Sequence, residues 1–303
     1  MRPFEFGVQL YGATDVKEWR EQAQRAYDLG YRSVHLPDHL GGQFDPLLGL
    51  ADAAAAVPGL RIGTLVLNCA TRHPVVLAKA LATLDVLTDG RLEVGLGAGW
   101  QRTDFERTGI DRLGPAGRVR RLTEYVTILE TLWRGEELTH HGEFFDIDGA
   151  RCLPTPVQRS LPLLIGGGSA DILRFAGRRA RAVALDVPQP AGRFEPTAYL
   201  SAAHLSAFRQ RADWAREAGR DIELLIQIPS GLIGPADAAT EIAAHWGVSV
   251  DALQDTPLAL VGDVDEVADR LRRWRAESDV SRIVVPADAM TTAQPLVARL
   301  TGT

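Results

Sequence analysis

Two glycine runs mark where this chain could do chemistry. Gly95-Leu96-Gly97-Ala98-Gly99-Trp100 follows an Asp89-Gly90 turn and the alternating residues Leu92, Val94 and Leu96. Bare backbone at a strand's C-terminal end lets a flat ligand approach closely. A dinucleotide fingerprint is excluded by spacing, because G-x-G-x-x-G needs a third glycine where Trp100 stands. The second run, Gly166-Gly167-Gly168-Ser169, stands directly before a helical pattern. Free N–H groups there, with the helix dipole, favour an anion such as phosphate. A tight turn with an ordinary serine cap accounts for the same residues. Taken together, the runs place a flat ring near Gly97–Trp100 and a phosphate near Gly166–Ser169 in one site. Polar residues end other strand-like segments: Gln9, Asp38 and His39, Asn68, Asp186, and Gln227 with Ser230.

These residues need a frame that gathers strand ends. Eight apolar segments read as strands: 4–10, 33–36, 61–67, 92–96, 163–165, 182–185, 223–228 and 282–285. Helical patterns lie between them at 16–29, 46–57, 75–87, 118–133, 170–178, 197–218, 264–277 and near 293–300. Strands alternating with helices imply βαβ units and a parallel sheet. Eight such units predict an α/β fold, a closed (β/α)₈ TIM barrel whose site lies at the strands' C-terminal ends. The frame is one domain over 1–303. Two connections are overlong, 134–162 with a small hairpin and about 229–262 as an insertion after strand seven that serves as a lid.

Composition narrows the class. The chain has 303 residues, 33 basic against 39 acidic side chains and a net charge of −6, which speaks against nucleic acid or an anionic membrane as partner. Cys69 and Cys152 are the two cysteines, too few for a disulfide framework, and a cytoplasmic location is expected. No apolar run reaches membrane-spanning length. His140-His141 with Glu143 suggests no metal site, since adjacent histidines point apart on any regular element. No G-x-S-x-G nucleophile motif occurs. Trp19, Trp133, Trp214, Trp246 and Trp274 fall in helical stretches and read as packing residues.

The segment Leu84–Trp100 closely resembles a signature of the luciferase-like flavin and deazaflavin oxidoreductases. The series Gly142-Glu143-Phe144-Phe145, Pro154-Thr155-Pro156-Val157-Gln158 and Pro162–Gly168 resembles the same family, as do Leu36–His39, Arg72-His73-Pro74 and Leu260–Ala268. The pieces run in order from about residue 5 to 286, and the set is most similar to the branch that uses coenzyme F420. The resemblance implies bound F420 or the related FMN. It implies that Leu65, Val66 and Asn68 form a strand-three bulge behind the ring, with a cis peptide at Leu65–Val66. It further implies that Gly97, Ala98 and Gly99 pass along the ring, that Gly166, Gly167, Gly168 and Ser169 cradle the phosphate, and that Asp38 and His39 face the reactive centre. Trp100 stacks or packs beside them.

On this reading His39 is the first catalytic candidate, donating to an oxyanion or moving a proton while the cofactor moves a hydride. Asp38 is expected to position more than to react. His73 is read as a helix-start residue. Trp100 stands where some deazaflavin-dependent sugar-phosphate dehydrogenases of the family carry a glutamate, which argues against sugar-phosphate oxidation with the same acid. Arg72 and Arg102 are the cations nearest the expected mouth, for an oligoglutamate tail. The expected activity is hydride transfer by F420 to or from a C=C, C=N or C=O of a small-molecule substrate. The alternatives are an FMN-dependent two-component monooxygenase fed by a partner reductase, and a non-catalytic cofactor-binding barrel. Deazaflavin reacts poorly with oxygen because carbon replaces N5, so cofactor identity separates the first two. The family resemblance also implies a homodimer through the helices at 50–57 and 75–87.

Overall fold

The computed structural model describes residues 1–303. Eight parallel strands form a ring: β1 (Glu5–Gln9), β2 (Ser33–Leu36), β3 (Arg61–Thr64), β4 (Leu92–Gly97), β5 (Leu163–Gly167), β6 (Ala182–Leu185), β7 (Glu223–Gln227) and β8 (Val280–Pro286). The ring closes where β1 pairs with β8, from Glu5 opposite Arg282 to Gln9 opposite Pro286. Strand β3 stops at Thr64, and Leu67–Asn68 resumes the ladder against Leu96 and Gly97 of β4. The intervening Leu65–Val66 peptide is cis, where the family resemblance implied it.

Alternation along each strand sorts side chains between two cores. Outward residues join the helices in one large cluster, with Trp19, Tyr31 and Tyr125 among its fully buried members. Inward residues build a second cluster inside the barrel from Leu65, Leu164, Ala182, Ala184, Leu225 and Val284. Below it, at the strands' N-terminal ends, the filling is ionic. Arg282 donates to both carboxylate oxygens of Glu93 at 2.7 and 2.6 Å, and to Glu223 at 3.3 Å. His35 is buried beside this cluster, its Nε2 lying 3.0 Å from Ser33 Oγ.

Local chemistry starts the helices where the pattern placed them. Asp15 accepts from Glu18 N–H ahead of Val16–Asp28, and Asp45 accepts from Leu47 and Leu48 N–H ahead of Pro46–Ala56. His73 accepts from Val75 N–H, so it caps Pro74–Leu87 as expected of a helix-start residue. The stretch 197–218 is not the single helix the sequence suggested. Pro196–Ser201 ends, and His204 caps a new helix, Leu205–Arg216, by accepting from Ala207 N–H. Leu138–His141 and Asp146–Ala150 form the small hairpin. The long connection after β7 is compact: Ile233–Gly234 pairs with Leu260–Val261, and Ala239–Trp246 and Val250–Asp255 are helices between them. No helix is long and apolar enough to cross a membrane.

Burial holds the His35 imidazole at about 4, below its ordinary 6.5. Its nearest charges, Glu93, Arg282 and Arg61, act in opposite senses. Between these values the unfolded chain binds a proton that the native state refuses, so stability falls as pH drops through the window and is unaffected above it. Urea midpoints across that range should show a loss of up to about 3 kcal/mol. His35→Gln should flatten the slope, and an unchanged slope would remove His35 as its source.

Candidate active site

A cavity of about 790 Å³ opens at the C-terminal ends of the strands. All thirteen residues expected of the site line it: Asp38, His39, Leu65, Val66, Asn68, Gly97, Ala98, Gly99, Trp100, Gly166, Gly167, Gly168 and Ser169.

Val66 forms part of its floor. A Cβ on Gly97 would come within 2.6 Å of Val66 Cγ2, and one on Gly166 within 3.2 Å of Cγ1. One on Gly95 would meet the Thr64 carbonyl oxygen at 1.9 Å. The glycine run of β4 therefore makes room first for the β3 bulge, and the bulge in turn faces the cavity. Gly97, Ala98 and Gly99 line the cavity as well, so the same run borders both the bulge and the open space. Gly99 differs: its φ of +75° is left-handed, and a Cβ there would meet Asn68 Oδ1 at 2.4 Å.

Asp38 fixes this floor. Its Oδ2 accepts from Asn68 N–H at 2.9 Å and from Arg72 Nη1 at 2.5 Å, while Arg72 Nη2 donates to Asp45 at 2.9 Å. One arginine thus joins the end of β2, the β3 extension and the cap of the next helix. Arg72 is held by these two carboxylates rather than free at the mouth, and Arg102 lies against the Ala191 carbonyl. Arg118 is the arginine on the cavity wall. It donates to the Leu113 carbonyl, has no acidic partner within ion-pair distance, and is pushed below its ordinary pKa by burial and by Arg112 and Arg121.

His39 is oriented from behind. Its Nδ1 lies 2.7 Å from Oδ2 of the buried Asp104, whose other oxygen accepts from Leu40 N–H at 3.1 Å. An acceptor at Nδ1 assigns that nitrogen the hydrogen and leaves Nε2 for the cavity. The Trp100 ring meets His39 edge-on at 5.6 Å. Asp104 escaped the sequence reading because it belongs to Arg102–Thr108, a helix too short to show a period. Its place in the first turn of that helix was the one available signal.

At the other glycine run, Ser169 precedes helix Ala170–Arg179 without capping it. The N–H groups of Gly168 and Ser169 donate to no protein acceptor. A serine cap therefore does not explain the run, and two donors stand at a helix N-terminus on the cavity wall. Residues outside the expected set complete the wall. Gln9 is 3% exposed with Oε1 unpartnered, and Trp246, read as packing, also lines the cavity with its Nε1 unpartnered. No group of three or more His, Cys, Asp or Glu side chains converges as a metal site; His140 pairs with Glu124 and Glu143 with Arg120.

A family model described as luciferase-like monooxygenase matches residues 1–246. The chain is 36% identical over 128 residues to an uncharacterized protein of Mycobacterium tuberculosis (strain ATCC 25618 / H37Rv), a stretch covering 42% of this chain and 44% of that one. It is 25% identical over 296 residues to the F420-dependent glucose-6-phosphate dehydrogenase of Amycolatopsis mediterranei (strain U-32), covering 93% of this chain and 86% of the relative. The solved structure of an F420-dependent secondary alcohol dehydrogenase in complex with an F420-acetone adduct superposes with a TM-score of 0.77 at 18% identity, over 98% of this chain and 99% of that one. At that identity the likeness speaks to the fold alone. With the family model matching most of the chain, this protein belongs to the luciferase-like monooxygenase family.

Proposed function

We propose that this enzyme is an oxidoreductase that binds the deazaflavin coenzyme F420 on the barrel top and acts on a small organic substrate. The observation that carries the reading is a single cavity with the Val66 floor, two free N–H donors at Gly168 and Ser169, and a histidine oriented by a buried carboxylate. These residues fit the group. Val66 with Gly97, Ala98 and Gly99 offers a surface for a ring, Gly166–Ser169 offers donors for a phosphate, and Arg118 supplies positive charge on the same wall. The relative named as F420-dependent supports the deazaflavin over FMN. When bound, the cofactor supplies or accepts a hydride at a C=C, C=N or C=O, and a separate reductase replenishes it where the reaction consumes the reduced form.

The chain's own part is orientation and proton handling. His39 presents Nε2 to the substrate and gives or takes the proton that balances the hydride. Asp104 keeps the ring in that tautomer. Asp38 acts at one remove, by holding Asn68 and the bulge beneath the ring. The insertion after β7 closes one side through His245 and Trp246, as a lid wall. Leu48, Val76 and Leu87 are 74%, 67% and 73% exposed on the helices 46–56 and 74–87, and we assign this apolar face to a homodimer contact.

Tryptophan quenching by added F420 should saturate at far lower concentration than by FMN. Preference for FMN would move the enzyme to two-component monooxygenase chemistry, and binding of neither would overturn the site. His39→Ala should lower kcat by about 10² to 10⁴ with cofactor affinity retained. Asp104→Asn should lower kcat by a smaller factor and shift the pH profile, whereas normal turnover in His39→Ala would remove the imidazole from the mechanism. Sedimentation velocity should show a dimer that Leu87→Asp weakens by tenfold or more, on the order of the ~1.4 kcal/mol that factor represents; a wild-type monomer would exclude that contact.

A further inference from the structure

Asp186 has no role in the scheme above. It follows β6, whose Ala182 and Ala184 face the barrel interior, so alternation turns it inward as well. Its side chain is exposed on the wall of the cavity. Oδ1 accepts from Val187 N–H at 2.7 Å and from the Tyr199 hydroxyl at 2.8 Å. Those two bonds fix the carboxylate and leave Oδ2 without a partner.

No cationic side chain forms an ion pair with Asp186. Arg211, whose field reaches it, turns its guanidinium to the Ala202 carbonyl at 3.4 Å. The protein packed around it desolvates the carboxyl and raises it above its ordinary value, and the Tyr199 and Val187 donors draw it partly back. Its exposed surface opens on the cavity, where no protein cation balances it.

The adjoining wall is aromatic. Phe194 packs on Tyr199 at 5.0 Å between centroids and meets Trp246 edge-on at 6.0 Å, and Phe194 remains 43% exposed. All three line the same cavity. The hydroxyl of Thr197 donates to the Trp246 carbonyl at 2.9 Å, which ties the insertion to the helix that carries Tyr199. Aromatic faces attract cations, and an unpaired carboxylate beside them adds to that attraction while repelling phosphate and carboxylate groups.

We propose that Asp186 and the Phe194–Tyr199–Trp246 wall form a subsite for a cationic nitrogen group of the substrate, an ammonium or iminium. The subsite rests on the reading of this cavity as the active site and makes its substrate a nitrogen compound rather than a sugar phosphate.

The test is calorimetric titration of the full chain with three ligands of one shape: choline, the neutral 3,3-dimethylbutan-1-ol and the anionic 3,3-dimethylbutanoate. Choline should bind about tenfold more tightly than the alcohol, and the anion most weakly. Asp186→Asn keeps an acceptor for Val187 and Tyr199 and should bring choline down to the level of the alcohol. Phe194→Leu should reduce the preference part of the way. Tryptophan quenching by F420 and FMN, run on the same variants, should match the wild type. Equal binding of choline and the alcohol, an unchanged preference in Asp186→Asn, or loss of cofactor binding in that variant would each overturn the subsite. A cation preference in a chain that binds neither cofactor would uphold it and count against the cofactor reading alone.

Discussion

The structure depends on the seating of Val66 among three strands. Strands β3, β4 and β5 approach so closely there that Gly95 and Gly97 have no room for a Cβ without displacing Thr64 or Val66, and one on Gly166 would be tight at 3.2 Å from Val66. Interiors at crystal-like packing density do not absorb such a shift cheaply. The break in β3 follows from it, because a strand that lifts a residue onto the barrel top must leave the ladder and rejoin it, as Leu67 and Asn68 do. The rejoined backbone then needs a partner for its N–H, and Asp38 supplies one. Arg72 balances that carboxylate and reaches the next helix. One packing constraint thus sets the cavity floor and the order of the charged residues around it.

The two ends of the barrel use polar groups in opposite ways. At the N-terminal end Arg282, Glu93 and Glu223 satisfy one another with side chains almost wholly buried. Such a pair adds little net stability over an apolar filling, yet removing one partner strands the other charge. A saturated cluster has nothing left for a ligand. At the C-terminal end Gln9 Oε1, Trp246 Nε1 and the N–H groups of Gly168 and Ser169 lack protein partners. Buried polar groups without partners are costly; others occur elsewhere, His35 Nδ1 at the ionic end among them, but these line a cavity where a ligand can complete them.

The barrel was legible in the sequence because parallel strands are buried on both faces and separated by amphipathic helices, a pattern that survives without any tertiary information. Positions such as His39 and Ser169 were legible for a related reason, since strand ends in a barrel are where ligands meet the chain. That Gly97 also accommodates Val66 was not, because this need shows only when the neighbouring strand is in place. Asp104 and Trp246 escaped for a different reason. Each sits on a short helix within a connection, and its direction is set by contacts distant in sequence, to His39 and to Phe194. The split of 197–218 into two helices likewise turns on one side-chain acceptor, His204, which competes locally with a continuous helix.

The charges around the mouth are arranged by strand. Arg118 lies on the helix after β4, and the free N–H groups lie at the end of β5. His39 follows β2, its partner Asp104 lies in the same connection as Arg118, and Asp186 follows β6 with its backbone against Gly168. The donors and the acid therefore stand side by side on β4, β5 and β6 rather than on separate sides of the ring. In a cavity walled by low-dielectric protein, fields at that range are weakly screened, so an anionic group at the Gly168 and Ser169 donors would feel the Asp186 carboxylate as well as Arg118.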